Sequence, residues 1–222
     1  MKKLIFCIVA CSVYSSFALS KDSSLLSNSD SFMIIDDLYK NINGFSISEK
    51  ERSTIREQGG NPTYGEITHK GAVELLSKLN LKESDVLYDL GSGVGKLVVQ
   101  VGLTTPAKVV GVELSKTRYE NALSVQKEIE QRNLAKKDKI KFINKNISDV
   151  PLDQATVVFM CSTCFSDQLM KSLSDKLGKL KKGLRVVTLR KLPEPHNFKL
   201  IDTLQLPMTW SNSTIVYIYQ LP

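Results

Sequence analysis

A glycine-rich segment next to a carboxylate gives the clearest chemical signal in the sequence. Residues 89–95 read Asp-Leu-Gly-Ser-Gly-Val-Gly and follow an apolar run that predicts a buried strand. Glycines where a strand turns into a helix let a ligand approach the backbone without meeting a Cβ atom. The spacing is G-x-G-x-G, not the G-x-G-x-x-G expected for a pyrophosphate. Asp89 would repel a phosphate there and favours a cationic ligand, such as the amino group or sulfonium of S-adenosylmethionine.

Glu113 is the second acidic residue of this pattern. It ends the next predicted strand, where a carboxylate can accept hydrogen bonds from both hydroxyls of a ribose. An ordinary loop carboxylate is the alternative interpretation. Ligands of open α/β sheets bind outside the carboxyl ends of the parallel strands, and both acids stand at such ends. Asp89, the glycines and Glu113 together therefore predict the nucleotide site of a methyltransferase.

The elements that must position these residues alternate between short apolar runs and helical patterns. The predicted strands are 86–90, 107–112, 139–144, 156–161 and 184–189, and the predicted helices between them are 94–103, 115–133 and 166–180. Short strand–helix connections favour right-handed crossovers and a parallel sheet that is buried on both faces. Two further β-rich segments, 198–205 and 214–220, have no helix between them and predict an antiparallel hairpin. The fold class predicted is α/β: a seven-stranded Rossmann-like methyltransferase sheet, mostly parallel with a reversed last strand, plus N-terminal helices.

The first twenty residues have the pattern of an export signal. Lys2 and Lys3 precede an apolar stretch over residues 4–17, and a small-x-small site follows at residues 18–20. This order is typical of a secretory signal peptide over residues 1–20. An apolar first helix of the fold, a short membrane anchor, and lipoprotein processing before Cys11 are the alternatives. The signal interpretation predicts an exported protein, periplasmic or secreted, with no stable membrane span after cleavage.

The remaining chain divides into a helical cover and one domain. Residues 21–60 predict an N-terminal helical cover, with apolar residues at helical spacing over 32–42 and a capping box at Ser48 and Glu51 that opens a second helix ending near Glu57. Residues 61–222 predict a class I methyltransferase domain that starts with a helix over 68–79. No internal repeat or domain-sized linker interrupts it.

Composition excludes several protein classes. The 222 residues are 42% hydrophobic and 24% charged, with a net charge of +7. These values exclude a disordered chain, a coiled coil, a collagen and a polytopic membrane protein. Four cysteines are too few for a cystine-knot scaffold. What remains is a globular enzyme or binding domain, for which we expect a monomer.

The cysteines that remain after signal cleavage are Cys161 and Cys164, which form a C-x-x-C. No second C-x-x-C exists and His69 and His196 are isolated, so the sequence predicts no metal site. A thioredoxin-like redox motif, a disulfide, and two reduced thiols lining a pocket are the other interpretations, of which we favour the last.

Lysines cluster in two segments of the predicted domain. The clusters are Lys136, Lys137, Lys139, Lys141 and Lys145, then Lys176, Lys179, Lys181 and Lys182. A solvated surface is the default interpretation. The alternative is a footprint for an acidic partner, such as nucleic acid or a chromatin surface.

Several segments of the sequence resemble those of a known family. Residues 89–95 and the largely apolar segment 97–101 that follows resemble the non-SET histone-lysine methyltransferases named for disruption of telomeric silencing. Residues 64–67, Tyr-Gly-Glu-Ile, match that family's Tyr-Gly-Glu-Thr loop over the cofactor, and residues 111–113 match its Gly-Val-Glu. Trp210 and Tyr217 repeat the family's Trp and Tyr beside the lysine channel. The resemblance covers residues 61–221.

The resemblance implies a set of site residues. Those expected to bind S-adenosylmethionine are Tyr64, Gly65, Glu66, Ile67, Asp89, Leu90, Gly91, Ser92, Gly93, Gly95, Lys96, Glu113, Asn146 and Ile147, and those expected at the catalytic channel are Tyr217, Trp210, Cys161 and Thr163. Tyr217 would position the substrate amine through its hydroxyl. Two segments depart from the family. Asn146 and Ile147 replace the Asp and Phe that contact adenine, and residues 161–164 replace an Asn-Asn loop of the active site.

The sequence thus predicts an S-adenosylmethionine-dependent methyltransferase, with a protein lysine as the leading substrate. The cofactor is not expected outside a cytoplasm, so an exported enzyme of this kind predicts delivery into a host cell, where protein or chromatin targets exist. A class I methyltransferase acting on a small molecule is one alternative. A non-catalytic domain that binds a nucleotide or a partner is the other.

Overall fold

The computed structural model describes residues 25–222 of the chain, so the predicted signal peptide lies outside the described residues. The helices are α1 (Asn28–Tyr39), α2 (Glu49–Glu57), α3 (His69–Leu79), α4 (Lys96–Thr104), α5 (Lys116–Gln131) and α6 (Asp167–Leu177). The strands are β1 (Val86–Leu90), β2 (Lys108–Glu113), β3 (Ile140–Asn144), β4 (Val157–Met160), β5 (Arg185–Thr188), β6 (Lys199–Met208) and β7 (Ser211–Gln220).

All seven strands form one sheet in the order β3-β2-β1-β4-β5-β7-β6. Strands β1 to β5 are parallel, whereas β7 runs antiparallel to both β5 and β6. The register sets Asp89 of β1 between Gly111 of β2 and Phe159 of β4. This confirms the predicted α/β fold with a mostly parallel sheet and a reversed last strand.

The core consists of two apolar layers, one on each face of the sheet. Helices α1, α3, α4 and α5 contribute to the first layer, which includes Leu75, Val98 and Val125. Helix α6 contributes Met170 and Leu173 to the second. A parallel sheet covered on both faces needs apolar residues on both sides of its strands, and β4 is accordingly buried along its whole length. Within the described part of the chain, no helix is long and apolar enough to cross a membrane.

Element boundaries differ from the sequence prediction mainly at α1 and the hairpin. Helix α1 begins earlier than apolar spacing suggested, because the Ser27 hydroxyl accepts from the Asp30 N–H and caps it. The hairpin strands are longer, and only Thr209 and Trp210 separate them. Pro207 is tolerated inside β6 because this strand is at the edge of the sheet.

Candidate active site

A cavity of about 930 Å³ opens at the carboxyl ends of β1, β2 and β4. This volume lies within the range of about 300 to 1,000 Å³ that is typical of ligand pockets. Its lining includes fifteen of the eighteen residues that the sequence singled out: Tyr64, Gly65, Glu66, Ile67, Asp89, Gly91, Ser92, Gly93, Lys96, Glu113, Asn146, Ile147, Cys161, Thr163 and Trp210. The fold therefore brings together residues that are up to 146 positions apart in sequence.

Glu113 holds the glycine segment in place. The Gly93 N–H donates to its Oε2 at 2.7 Å, and the Ser115 N–H donates to its Oε1 at 2.8 Å. Gly93 has a φ of +57°, and a Cβ there would lie 2.5 Å from the Tyr64 ring. Burial raises the pKa of Glu113, against the lowering effect of the N–H donors and of Arg118. Each carboxylate oxygen keeps a lone pair for a further donor.

Asp89 is the electrostatic feature that best defines the ligand. Its side chain is 4% exposed and lines the cavity, yet no residue of 25–222 donates a hydrogen bond to it. Burial, together with the charge of Glu113, raises the pKa of Asp89 to about 8. A buried carboxylate without a donor is costly unless a ligand supplies one. This arrangement fits the cationic groups of S-adenosylmethionine.

The loop over the cavity is organised around Tyr64. The Tyr64 hydroxyl donates to Glu66 Oε1, and Lys96 Nζ lies 2.8 Å from Glu66 Oε2. A Cβ at Gly44 would collide with the Tyr64 ring, so the ring is enclosed by backbone on two sides. Burial raises the pKa of Tyr64 well above its ordinary value, so its hydroxyl stays protonated and acts as a donor.

Arg118 also lines the cavity, and sequence reasoning missed it. Its side chain is buried, with Nε donating to the Gly44 carbonyl and Nη2 to the Pro62 carbonyl, both at 2.8 Å. It therefore ties α5 to the segments on either side of α2. A basic residue in the first turn of a helix is unfavourable for the helix dipole, but Lys116 shares this feature, so the sequence alone does not single out Arg118.

The Tyr-Gly-Glu loop is fastened to the tip of the β6–β7 hairpin. The Glu66 N–H donates to Thr209 Oγ1 at 3.0 Å, and the Thr209 N–H donates to the Glu66 carbonyl at 2.8 Å. Trp210 lies against Gly65, where a Cβ would come within 2.5 Å of its ring. The indole is still 45% exposed. Two motifs that are far apart in sequence thus form one wall of the cavity.

Of the two residues expected near adenine, Asn146 already forms two hydrogen bonds within the chain. Asn146 donates through Nδ2 to the Gln58 carbonyl at 3.0 Å and accepts through Oδ1 from the Ser148 N–H at 3.0 Å. Its Oδ1 retains one lone pair for an adenine amino group. Ile147 is buried and lines the cavity. Phe165 and Leu169, near the start of α6, add apolar lining that no motif marked.

The two cysteines line the cavity as free thiols. Burial, followed by the charge of Asp89, raises the pKa of the Cys161 thiol to about 12. The thiol therefore stays protonated at neutral pH and contributes a weakly polar surface instead of a nucleophile. Between the cysteines lies a 3₁₀ turn over Ser162–Cys164, in which Ser162 is buried.

Three predicted site residues do not line the cavity. Leu90 is fully buried in the second apolar layer, and Gly95 caps α4 against the Phe142 ring. Tyr217 packs beside Tyr219, because alternate residues of β7 share a face, and Lys191 Nζ lies 6.0 Å from the centroid of its ring. The positioning role expected for the Tyr217 hydroxyl stays a prediction.

Comparisons with known proteins agree with this geometry. A family model described as histone methylation protein DOT1 matches residues 49–211. A histone-lysine N-methyltransferase, H3 lysine-79 specific, from Caenorhabditis elegans is 31% identical over 140 residues, which is 59% of this chain and 15% of that protein. A protein-lysine N-methyltransferase from Saccharolobus islandicus is 30% identical over 115 residues, which is 51% of this chain and 67% of that protein.

Among solved structures, an RNA methyltransferase from Salinibacter ruber in complex with S-adenosyl-L-homocysteine has a TM-score of 0.52 and 24% identity, over 68% of this chain and 90% of that one. This likeness concerns the fold. The chain spans only a small part of the first eukaryotic relatives, 15% of the C. elegans protein. Since the family model covers most of residues 25–222, the chain belongs to the DOT1 family, and the lining of its cavity fits S-adenosylmethionine.

Proposed function

We propose that this enzyme transfers the methyl group to the side-chain amine of a protein lysine. The observation that carries the proposal is the wall formed by Trp210 and Gly65, which lines the same cavity as Cys161 and Thr163. Trp210 is half exposed and the Cys161 thiol is neutral, so this end of the cavity offers an apolar surface to a side chain that enters from outside. The names of the relatives, which include lysine methyltransferases, support the same substrate class.

Five residues of the chain would hold the cofactor. Asp89 would accept hydrogen bonds from its ammonium group and attract its sulfonium, and the remaining lone pairs of Glu113 would accept from the ribose hydroxyls. Asn146 and Ile147 would contact the adenine, and Lys96, which already lies at the cavity beside Glu66, would attract the carboxylate. When bound, S-adenosylmethionine supplies an electrophilic methyl group.

The chain's own contribution to the reaction is desolvation and alignment. A lysine amine must lose its proton to water before it can attack, and an apolar surface lowers its pKa by disfavouring the charged form. The lone pair of the neutral amine would form the new N–C bond with the methyl group that the cofactor supplies, and the electron pair of the broken S–C bond would stay on the departing sulfur. The fastened loop and hairpin would exclude water from this step and orient the amine in line with the methyl group.

The proposal extends to where the enzyme acts. Residues 1–20 have the pattern of a signal peptide, and the cofactor is a cytoplasmic metabolite, so we propose that the protein is exported and acts inside a host cell. Lys136, Lys137, Lys141 and Lys145 form no ion pair within residues 25–222, which supports an anionic surface such as chromatin as the partner. A reporter fused after residue 20, compared with one fused to the chain without residues 1–20, tests export.

One labelling experiment tests the substrate class. The purified protein is incubated with S-adenosylmethionine labelled in the methyl group and with, in parallel, core histones, nucleosomes, total RNA and a small-molecule extract. Label in a protein, mapped to a lysine by mass spectrometry, is the expected result. Label in RNA or in small molecules alone contradicts the proposal. Binding of the cofactor by calorimetry without any labelled product indicates a non-catalytic domain.

A further inference from the structure

Strand β5 ends early, next to the active site. Its last partner on β7 is Tyr217, which pairs with Thr188. In a continued register Arg190 would pair with Ile215, but the Leu189 and Arg190 N–H groups donate instead to Ser162 Oγ at 3.2 and 3.1 Å. The buried Ser162 hydroxyl therefore turns the chain away from the sheet. The result is a gap in the sheet, which we call the notch, between Arg190 and Ile215.

The backbone of Ile215 faces the notch. Leu221 N–H donates to the Leu184 carbonyl, and the Leu221 carbonyl accepts from the Gly183 N–H, so the peptide groups of Leu221 face the β5 side of β7. Every second residue of a strand faces the same way, which brings Ile215 to the β5 side as well. Ile215 pairs with Gln205 across the hairpin, and no residue of 25–222 pairs with it from the β5 side. Its side chain is 45% exposed.

The notch lies between two elements that line the cavity. On one side is the 3₁₀ turn Ser162–Cys164, which contributes Thr163 and Cys164, and on the other is the hairpin tip with Trp210. An unpaired N–H and C=O on a strand edge are a template for another strand. Extended peptides bind such edges through main-chain hydrogen bonds, while alternate side chains enter nearby pockets.

We propose that the polypeptide substrate docks in the notch as an added strand, in line with β5, and pairs with the backbone of Ile215. This inference rests on the proposed protein-lysine methyltransferase function and names how that substrate is held. Side chains along a strand alternate between two faces at a rise of about 3.3 Å per residue. A lysine on the face toward Trp210 enters the cavity, while its neighbours point away from it.

The chemistry of the notch fits a peptide better than a nucleic acid. Residues 211–216 of β7 read Ser-Asn-Ser-Thr-Ile-Val and carry no charge. Arg190 is engaged by the Phe165 carbonyl and Asp167, so of the two neighbouring cations only Lys191, whose Nζ lies 6.0 Å from the centroid of the Tyr217 ring, is left to attract a phosphate. Nucleic acids are held mainly by Lys and Arg at their phosphates. The uncharged edge of β7 offers backbone hydrogen-bonding groups to an extended peptide, and the exposed Ile215 side chain offers it an apolar contact.

A pair of proline substitutions tests the docking mode. Ile215→Pro removes the N–H that faces the notch, without removing a hydrogen bond to β6. Gln205→Pro is the matched control, because Gln205 lies directly across the hairpin and its N–H faces the opposite, outer edge. Ile215→Val keeps the N–H and controls for the side chain. Steady-state kinetics of the full chain with recombinant histone H3 give KM and kcat for each variant, and calorimetry gives Kd for S-adenosylmethionine.

The expected result is a rise of about fivefold in the KM for histone H3 in Ile215→Pro alone, with an unchanged Kd for the cofactor, since one hydrogen bond to the substrate is lost. If the two proline variants have equal KM values while the wild-type protein is active on H3, substrate docking in the notch is contradicted. The proposed lysine methylation is not affected by that result. Activity of the wild-type protein on RNA but on no protein overturns both. If Ile215→Pro fails to fold, an H3 peptide with N-methylated backbone amides beside the target lysine must lose affinity for the wild-type protein; equal affinity overturns the inference.

Discussion

The guanidinium carbon of Arg118 lies 4.6 Å from the centroid of the Tyr64 ring. Through this contact and its bonds to the Gly44 and Pro62 carbonyls, one buried side chain on α5 supports the whole loop that covers the cavity. Tyr64 in turn donates to Glu66, which meets the hairpin through Thr209. A continuous set of contacts thus links α5, through the loop over the cavity, to the β6–β7 hairpin.

Replacement of Arg118 should therefore affect both stability and cofactor binding. Arg118→Met leaves two buried carbonyls without a donor, and we expect a loss of about 2 to 3 kcal/mol in the free energy of unfolding. The Kd for S-adenosylmethionine should rise about tenfold. Urea unfolding and calorimetry measure the two effects. Arg118→Lys keeps the charge but not the forked donors, so it should recover only part of the loss; full recovery would contradict the role given to the fork.

Cofactor binding should depend on pH through Asp89. The pKa of Asp89 is raised to about 8 in the free protein, and a bound cation favours its carboxylate form. Binding therefore releases a proton below pH 8, and the Kd should fall as the pH rises from 6.5 to 8.5. Calorimetry in two buffers of different ionisation enthalpy measures the proton count. Asp89→Asn should bind weakly with less pH dependence, and an unchanged pH profile in this variant would assign the titration to another group.

The same shift predicts that Asp89 destabilises the protein in the absence of ligand. A carboxyl group whose folded pKa is raised costs stability as the pH rises above its unfolded value near 4 and toward 8. Asp89→Asn should therefore have a higher Tm than the wild-type protein at pH 8.5 and a similar Tm at pH 4. Thermal unfolding at both pH values checks this. Saturating S-adenosylmethionine should reverse the order at pH 8.5, because only the wild-type carboxylate binds it well.

Glu51 should stabilise the protein more at neutral pH than at low pH, which is the opposite of the pH dependence expected for Asp89. Burial acts to raise its pKa, but the hydroxyls of Ser115 and Thr117 and the Thr117 N–H outweigh burial and lower it. A lowered folded pKa gives stability that is present above the unfolded value near 4.3 and is lost as the pH falls through the folded pKa. Glu51→Gln should lose about 1 kcal/mol at pH 7 and little at pH 3, measured by urea unfolding.

The two thiols should differ in reactivity. The pKa of Cys161 is raised to about 12 by burial, so its thiolate is scarce at pH 8. Iodoacetamide should therefore alkylate Cys161 several-fold more slowly than Cys164, which serves as the comparison within the same protein. Mass spectrometry of the modified peptides gives both rates. S-adenosylhomocysteine should slow both reactions, because both thiols line the cavity; rates that do not respond to it would separate the thiols from the ligand site.

The sequence was sufficient to predict the location of residues that stand at the ends of parallel strands. Asp89 and Glu113 stand at strand ends, and parallel strands bring their carboxyl ends to one edge, so their meeting in the cavity follows from local patterns. The antiparallel pairing of β6 with β7 was also predictable, because only a short link joins the two strands.

Arg118 and Ser162 were beyond that kind of reasoning. Arg118 acts through carbonyls of Gly44 and Pro62, which are more than fifty residues away and have no sequence signature. Ser162 reads as a loop serine, yet its hydroxyl decides where β5 ends, 26 residues later at Thr188. For Tyr217, the sequence indicated the spacing from Trp210 but not the direction of the ring, which packs beside Tyr219 because alternate residues of β7 share a face.

The bonds between Glu66 and Thr209 have a kinetic consequence. The Tyr-Gly-Glu loop and the hairpin share two hydrogen bonds, so opening of the loop would have to break these bonds or move the hairpin. If the proposed protein substrate binds at the hairpin, it would hinder that movement and therefore the exchange of the cofactor. We expect S-adenosylmethionine to bind first and S-adenosylhomocysteine to leave last.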